Sequence, residues 1–475
     1  MNKFRLYLFF FITLFLVIEQ KTVFTKELLF SGEEPVEVLI HDHGLEAFEL
    51  FMQSIDSANY YVELCPCMTG GKMLKEMLSR LNRRMQQAPL LKTYLIVQPT
   101  FIDAEDRQIL SKMKESWPER FFYVYTGCPS STSFLKPNVM EMHVKLSLVD
   151  GKYFILGGSN FEDFMCTPGD HDPEETDSPR ITVSGLRRPL AFRDQDVTFC
   201  SVSLGRRLRE EYHKYFQMWE HFANHLWFED DPETFAGFCP ELTEEQASAT
   251  SCAAFDQNPE VVSVQPSQIR IIFSGPHEGQ PNPITEEYLR LIRSAQFSLQ
   301  LAHMYFVPKK EIVQSFIDAV ESRSVSLEVV TNGCHELSPS MTGAYAWGNR
   351  MNYFAVSFGN YSSLWKKPFW IGKKAYPKVS FYEFAVRETQ LHKKCMIIDE
   401  STFVIGSYNF GMKSDVFDYE SIVVIHSPEV VEKAQKVFKK DKKLSRKISE
   451  EDIFSWYFHP VHHVVGHLQI SFMPC

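Results

Sequence analysis

The sequence offers little from which to build a metal site. Its ten cysteines show no zinc-binding spacing, because Cys65 and Cys67 are separated by a single residue and no second pair answers them. No cluster of His, Asp and Glu demands a metal either, so we expect no cofactor and no metal. Cys239 and Cys252 flank a short polar stretch and are the two cysteines best placed to pair if the chain is exported.

The sequence also lacks a broad excess of positive charge. The formal net charge is -11, and nine acidic residues with no Lys or Arg lie between Glu229 and Glu260. The rest of the chain is close to neutral. A dedicated nucleic-acid partner is therefore not expected, since such proteins neutralise phosphates with many Lys and Arg side chains.

Long apolar runs are missing too, apart from one at the start. Lys3 and Arg5 precede a largely apolar run, Leu6–Ile18, which fits a secretory signal and is shorter than the roughly 20 residues of a membrane span. No clean A-x-A cleavage site follows, so an uncleaved anchor and a buried N-terminal helix stay open. We predict that residues 1–25 are a signal peptide or membrane anchor and that the protein is exported or membrane-anchored.

What the sequence does contain is one polar pattern twice. "MHVKLSLVDGKYFILGGSNF" begins at Met142, and "LHKKCMIIDESTFVIGSYNF" begins at Leu391. In both stretches the Lys follows the His by two positions, the Asp follows the Lys by five, and the Gly that opens the G-[GS]-x-N turn follows the Asp by seven. This matched spacing indicates two copies of one unit.

The repeat extends beyond the polar pattern. Residues 47–64 resemble residues 285–302, since each stretch has helical apolar spacing, then Ser-Ala, then a β-rich run. Strands alternate with helices in both copies, which predicts an α/β sheet in each half. We divide the chain into a first half, 35–228, an acidic linker, 229–267, and a second half, 268–475.

The residue types of the pattern suit a phosphate. Residues i and i+2 of a strand share a face, so His143 and Lys145 point the same way, as do His392 and Lys394. One histidine can attack phosphorus and the other can protonate the leaving oxygen, while the lysines neutralise the non-bridging oxygens. Small residues and free N–H groups let an anion approach the backbone. We predict that four residues of the turns bind the phosphate: Ser159, Asn160, Ser407 and Asn409.

The aspartate of each pattern has a different expected role. Asp150 and Asp399 come at the end of a predicted strand, where a turn begins. This position favours a structural tie for the turn over a contact with substrate.

A nucleophilic histidine needs an acceptor for its other ring nitrogen, and a matching acidic pair follows each pattern. Alignment of "RDQDVTF" with "FDYESIV" predicts that Asp196 orients His143 and that Glu420 orients His392. The less favoured choices are Asp194 and Asp418.

The doubled pattern H-x-K-x4-D-x6-G-[GS]-x-N resembles the phospholipase D superfamily. "VSFYEF" before the second copy and "GSYNFGMKS" within it are similar to the cardiolipin synthase-like bacterial branch. The resemblance implies two similar α/β/α sandwich halves related by a pseudo-dyad, with the active site between them, so that a monomer can complete the site. The oligomeric state stays open. By position, the family's paired His, Lys and Asn fall on His143, Lys145, Asn160, His392, Lys394 and Asn409.

The resemblance also implies phosphodiester exchange through a covalent phosphohistidine. The leading hypothesis is an enzyme of the bacterial cell envelope, or a secreted one, that cleaves or exchanges phospholipid phosphodiesters at a membrane surface. In similar two-motif enzymes the first-half histidine attacks, which implies His143 as the nucleophile and His392 as the general acid, while the spacing alone leaves this choice open. An exported phosphodiesterase or endonuclease of the same superfamily is the alternative, and the acidic composition argues against it. Retention of both histidines and both lysines argues against a catalytically inactive binding protein.

Three further stretches have two readings each. The aromatic segment 341–376 favours the lipid headgroup layer or lines a substrate tunnel. The tail histidines, from His459 to His467, indicate a packed terminal element rather than a metal site. The basic run "KKDKKLSRK", Lys439–Lys447, indicates a solvated helix end or, alternatively, a membrane contact.

Overall fold

A computed structural model describes the chain in several stretches. They are residues 27–28, 34–99, 102–126, 141–173, 182–183, 186–187, 190–224, 232–235, 237–276, 281–339, 342–359 and 375–472. The predicted signal peptide or anchor, 1–25, lies outside the described residues, as do Trp365 and Trp370 of the aromatic segment. Within the described ranges no helix is long and apolar enough to cross a membrane.

The first half is built on an eight-stranded sheet. Its strands are β2 (Val36–Ile40), β3 (Tyr61–Cys65), β4 (Lys92–Val97), β5 (Phe121–Tyr125), β6 (Leu146–Val149), β7 (Tyr153–Gly157), β11 (Asp196–Cys200) and β12 (Val262–Val264). Their spatial order is β12-β2-β11-β7-β6-β3-β4-β5. Strands β3, β4 and β5 are parallel, and each connection between them runs through a helix.

The second half repeats this arrangement in a nine-stranded sheet. Its strands are β1 (Glu27–Leu28), β13 (Ile269–Ser274), β14 (Ser298–His303), β15 (Ser326–Asn332), β16 (Val379–Phe384), β18 (Lys394–Ile398), β19 (Thr402–Gly406), β20 (Glu420–Ile425) and β21 (Ser445–Lys447). Their order, β1-β13-β20-β19-β18-β14-β15-β16-β21, matches that of the first sheet, with β21 added at one edge. The predicted fold of two similar α/β halves is confirmed.

Two short ribbons complete the strands. One pairs β8 (Thr182–Val183) with β9 (Leu186–Arg187), and the other pairs β10 (Ala191–Arg193) with β17 (Thr389–Leu391). The second ribbon joins the two halves.

Helices cover the outer faces of both sheets and flank the space between them. The first half contains α1 (Gly44–Ser57), α2 (Gly71–Gln87), α3 (Ala104–Ser116) and α4 (Val202–Asn224). The region between the halves contains α5 (Glu244–Ala249), α6 (Ala253–Asp256) and two 3-10 turns, Pro232–Phe235 and Pro266–Gln268. The second half contains α7 (Pro283–Ser294), α8 (Lys310–Arg323), α9 (Gly343–Phe358), α10 (Met412–Val416), α11 (Pro428–Lys443), α12 (Glu450–Phe458) and α13 (Pro460–Phe472).

The largest apolar core lies between the two sheets and includes residues of both halves. Continuous apolar strands such as β7 and β19 bury every residue, as expected for strands covered on both faces. Helices α4 and α11 contribute to this shared core, and each sheet has a second core on its outer side. Because burial of one large aliphatic side chain stabilises by about 1.5–3 kcal/mol, the shared core holds the halves together as one body. Its members include Val144, Val197, Ile271, Phe273, Cys395 and Ile405.

The acidic stretch between the halves is more ordered than the linker prediction implied. Strand β12 pairs antiparallel with β2 at the edge of the first sheet. Phe255 and Cys252 are buried in the outer core of the first half, whereas the acids described between residues 241 and 260 are exposed. Cys239 and Cys252 are both free cysteines, so the predicted pair does not form.

Candidate active site

Two short backbone pairings across the halves bring the repeated patterns together. In the ribbon of β10 and β17, Arg193 lies opposite Leu391. An isolated bridge pairs Met142 with Tyr419, also in the parallel sense. The residue after each member of these pairings is a motif histidine or an acid. Both motif histidines therefore reach the junction between the halves within one chain.

Each histidine is held by a carboxylate from the other half. The Nδ1 atom of His143 lies 2.9 Å from both carboxylate oxygens of Glu420, and the Nδ1 atom of His392 lies 2.6 Å from Oδ2 of Asp194. All four side chains are buried. An Nδ1–H that donates to a carboxylate leaves the lone pair on Nε2, which is the nitrogen that can meet phosphorus or carry a proton.

The pairing of acids and histidines predicted from the alignment is wrong. Glu420 contacts His143 rather than His392, and Asp196 is not the partner of His143. Asp194, the less favoured choice, holds His392 instead.

The physical reason is the register of the strands that carry the acids. Leu156 and Ile405 occupy equivalent positions in β7 and β19, and they pair with Val197 and Val423 respectively. Three residues before these valines stand Asp194 and Glu420, so these two acids are the equivalent pair. The aligned heptapeptides were two residues out of step.

Asp196 is a second buried acid beside Asp194. Its Oδ1 accepts the backbone N–H of Ser159 at 3.0 Å, and its Oδ2 has no hydrogen-bond partner among the described residues. Burial, and then the charge of Asp194, raises the pKa of Asp196 to about 7. The strand register makes Ile422 its counterpart, so Asp196 supports the first motif turn and has no equivalent acid in the second half.

Burial largely determines the protonation of the site. It is the main cause that lowers the pKa of His143 and of His392 to about 4, so both imidazoles are neutral at neutral pH. Burial would raise the pKa of Glu420 and Asp194, but the facing histidine and neighbouring donors bring each down to about 2. An anionic phosphodiester favours the protonated form of a nearby histidine, so substrate binding helps one of the two to act as an acid.

The two motif lysines lie against their own histidines. The ammonium of Lys145 donates to the backbone carbonyl of His143 at 2.8 Å. That of Lys394 donates to the carbonyl of His392 and lies 3.0 and 3.1 Å from its ring nitrogens. Burial, which exceeds the effect of Asp194, lowers the pKa of Lys394 to about 7. Both lysine side chains are therefore placed where a phosphate held by the histidines would need charge neutralisation, and the phosphate would favour their charged form.

The four predicted phosphate contacts have different surroundings. Asn160 is fully buried, and its Oδ1 accepts the backbone N–H of Met68 at 3.1 Å. The hydroxyl of Ser407 donates to Glu420 at 2.5 Å, so it supports the acid rather than presenting a free group. The hydroxyl of Ser159 and the Oδ1 of Asn409 are buried with no hydrogen-bond partner among the described residues.

A family model matches much of the second half of the chain, and a solved structure shares the fold. The family described as "Cardiolipin synthase, PLD-like domain" matches residues 288–442, which contain the second motif and Glu420. The crystal structure of phosphatidylserine synthase from Haemophilus influenzae Rd KW20 shares the fold, with a TM-score of 0.60 over 92% of this chain and 94% of that one. Residues 288–442 are therefore similar to a phospholipase D-like domain, which supports the superfamily resemblance. At 12% identity the structural likeness shows the fold alone.

A curated relative matches a smaller part of the chain. An uncharacterized protein of Helicobacter pylori (strain J99 / ATCC 700824) is 23% identical over 160 residues, which are 32% of this chain and 29% of that protein. The chain thus spans less than a third of the length of this relative.

The aspartates of the two repeated motifs tie turns to the neighbouring strands. Asp150 and Asp399 both have a φ of +50°, a left-handed conformation that aspartate tolerates better than most residues. Each carboxylate accepts three consecutive backbone N–H groups, those of residues 59–61 for Asp150 and of residues 296–298 for Asp399. Neither aspartate is part of the histidine–acid pairs, in keeping with the structural role predicted for them.

We expect Asp399→Ala to destabilise the protein by about 3 kcal/mol, because three backbone donors lose their charged acceptor. Asp399→Asn is the matched control, since asparagine keeps the turn conformation and one acceptor oxygen, and it should lose about half as much. Thermal unfolding followed by circular dichroism measures both. Folded Asp399→Ala should retain the wild-type rate per active molecule. A lower rate at unchanged stability would instead place this aspartate in the chemistry.

One group of described residues has the spacing of a metal site. Ligand atoms of His143, Asp418 and Glu420 lie within 4.8 Å of one another. These groups already have partners, since Glu420 accepts from His143, Ser407 and Ser414. The ammonium of Lys413 lies 3.0 Å from Asp418. These three side chains are therefore occupied by hydrogen bonds and an ion pair, an arrangement that does not favour binding of a metal ion.

Sequence reasoning missed several supporting residues. Ser414 donates to Glu420, and Lys413 joins Asp418 to Glu141. The serine that precedes the following long helix in each half could have corrected the alignment. Ser201 follows Asp194 by seven residues, and Ser427 follows Glu420 by seven. Aligning the two serines would therefore have aligned Asp194 with Glu420.

The basic run 439–447 is more than a solvated helix end. Its aspartate, Asp441, is fully buried and accepts from Arg193 at 2.9 Å and from Lys393 at 2.6 Å. Arg193 precedes Asp194, and Lys393 follows His392. This ion network therefore fixes the backbone next to both His392 and Asp194, which form one histidine–acid pair.

Proposed function

We propose that the protein is a phospholipase D-type enzyme that cleaves or exchanges phospholipid phosphodiesters through a phosphohistidine intermediate. The observation that carries the proposal is the pair of buried histidines, each held at Nδ1 by a carboxylate of the other half. Two imidazoles, each with Nδ1 held by an acid, and two adjacent lysine side chains supply a nucleophile, a proton donor and charge neutralisation.

The proposed reaction has two displacements. His143 Nε2 attacks phosphorus, the bond to the leaving oxygen breaks, and His392 gives that oxygen its proton. In the second step, His392 takes a proton from water or an alcohol, whose oxygen attacks phosphorus as the P–N bond breaks. Water as acceptor gives hydrolysis, and the glycerol of another lipid gives transfer of the phosphatidyl group.

Two comparisons support a lipid substrate. The matching family is described as a cardiolipin synthase domain, and the protein with the similar fold is a phosphatidylserine synthase. The acidic composition of the chain fits a lipid better than a nucleic acid. We infer that the enzyme works at a membrane surface after export or anchoring, in a bacterial cell envelope or outside the cell.

The deciding experiment is incubation of the purified protein with defined phospholipids and, separately, with DNA, followed by identification of the products by mass. Release of a headgroup, or a new phosphatidyl ester when an alcohol is added, is the expected result. Cleavage of DNA with no change in any lipid would favour the alternative, an exported phosphodiesterase or endonuclease of the superfamily.

We expect the activity to be independent of metal ions. The histidines and lysines supply the chemistry, and the carboxylates nearest them already have partners. Turnover of the best lipid substrate should change less than about twofold when a chelator removes divalent ions, since no step needs a Lewis acid. Loss of turnover with chelator, and its return with a divalent ion, would show instead that the cluster of His143, Asp418 and Glu420 binds a metal.

A further inference from the structure

The C-terminal region is uncharged over an unusual length. After Asp452 no Asp, Glu, Lys or Arg occurs up to residue 475, and histidines are the only residues there that titrate near neutral pH. A surface helix of a soluble protein normally carries charges on its outward side. Helix α13 carries none.

The same region holds half of the large apolar side chains that are exposed among the described residues. Phe458 is 41% exposed, Val461 61%, Val464 46% and Leu468 44%. The last three recur at helical spacing and so lie on one side of α13. We call these four residues the C-terminal apolar face. The other exposed apolar side chains are Leu90, Phe238, Phe297 and Leu337, which are far apart along the chain.

Helix α13 is firmly attached through its opposite side. Gly466 lies so close to α9 that an added Cβ would stand 2.4 Å from Met351. The side-chain oxygen of Gln469 accepts the backbone N–H of Gly348 at 2.7 Å, and its amide donates to the carbonyl of Gly343 at 3.1 Å. This docking leaves Val461, Val464 and Leu468 on the exposed side of α13, and Phe458, at the end of α12, keeps 41% of its surface exposed beside its ring contacts.

Helix α9 connects this face to the end of strand β15, close to the second motif. The side chain of Asn349 accepts from the backbone of Phe306 and donates to the carbonyl of Asn332. The Asn332 side chain in turn bonds both the N–H and the carbonyl of Leu391, the residue before His392. The apolar face thus belongs to a unit that is hydrogen-bonded to the second motif.

We propose that the C-terminal apolar face docks the enzyme on the surface of a phospholipid bilayer. This inference rests on the proposed function, since a lipid enzyme must meet its substrate in a bilayer. The four side chains expose on the order of 300 Å², well below the roughly 800 Å² per partner of a stable protein interface. A bilayer needs no matching partner surface, and uncharged apolar side chains next to aromatic ones suit the boundary between headgroups and acyl chains.

Hydroxyl-radical footprinting of the full chain tests the proposal directly. Oxidation of Phe458, Val461 and Leu468 should fall at least about threefold when vesicles of phosphatidylcholine and phosphatidylglycerol are added, because acyl chains exclude the aqueous radical. Leu90 and Phe297 are the internal controls and should keep their reactivity. Equal reactivity of the face with and without vesicles would overturn the proposal. So would protection without vesicles that increases with protein concentration, which would identify a second copy of the chain as the occupant.

A matched pair of variants links the face to turnover. The double substitution Val464→Glu and Leu468→Glu should lower turnover of vesicle phospholipid about tenfold and leave turnover of a soluble short-chain phospholipid unchanged. Phe297→Glu, which places one charge on a more exposed apolar site elsewhere, should affect neither. Equal loss on both substrates would mean damage to the fold and would count against a docking role. If the wild type turns over neither lipid, the proposed function fails, and footprinting still tests the face by itself.

Discussion

Replacing His143 by asparagine is expected to abolish the covalent intermediate, whereas His392→Asn should still form it from a substrate with a good leaving group. Without an Nε2 nucleophile there is nothing to bond to phosphorus, so His143→Asn should lose at least about 10⁴-fold in kcat. A p-nitrophenyl phosphodiester needs no proton on its leaving oxygen. The His392 variant should therefore release p-nitrophenolate once and then stall, because the same residue must later activate the acceptor.

Rapid-mixing measurements of p-nitrophenolate separate the two variants. A burst close to the enzyme concentration, followed by slow turnover, is expected from His392→Asn and no burst from His143→Asn. A phosphohistidine is hydrolysed in acid. The reaction should therefore be quenched, and the peptides mapped, at alkaline pH. An adduct on His392 would reverse the assignment of nucleophile and acid. A complete lack of adduct on either histidine would count against the two-step mechanism.

Asp194→Asn should lower kcat by about 10² to 10⁴-fold, while Asp196→Asn should stay within a few-fold of the wild type. Asp194 accepts the Nδ1–H of His392, and an asparagine at this position can donate instead and favour the wrong tautomer. Asp196 has a pKa of about 7 through burial and the charge of Asp194. An amide closely mimics its protonated form, so the substitution changes little.

The two aspartates make a matched test, because they are two residues apart and both buried. Steady-state kinetics with a phospholipid and with the p-nitrophenyl substrate should be run on both variants, with thermal unfolding as the control for folding. Glu420→Gln should resemble Asp194→Asn, since it leaves His143 without its acceptor. A large loss in Asp196→Asn at unchanged stability would restore the pairing predicted from the alignment.

Much of the candidate site could be predicted from local spacing. The interval of two between His and Lys puts both side chains on one face of a strand, whatever the rest of the chain does. The matched intervals within the two patterns indicated two equivalent units, and the two sheets have the same strand order. The motif aspartates were expected at turns for the same local reason, and each accepts three backbone N–H groups there.

The sequence by itself determined which residues form the two motifs, because helix and strand periodicity and motif spacing act over a few residues. The tertiary structure decided which acid meets which histidine. That choice depends on the register of β11 and β20 and on two pairings between the halves, Arg193 with Leu391 and Met142 with Tyr419. A shift of two residues keeps the same side chains on the same face of a strand, so the apolar pattern cannot reveal it. Strand pairing within each sheet sets this register, and the pairings between the halves then bring Asp194, rather than Asp196, to His392.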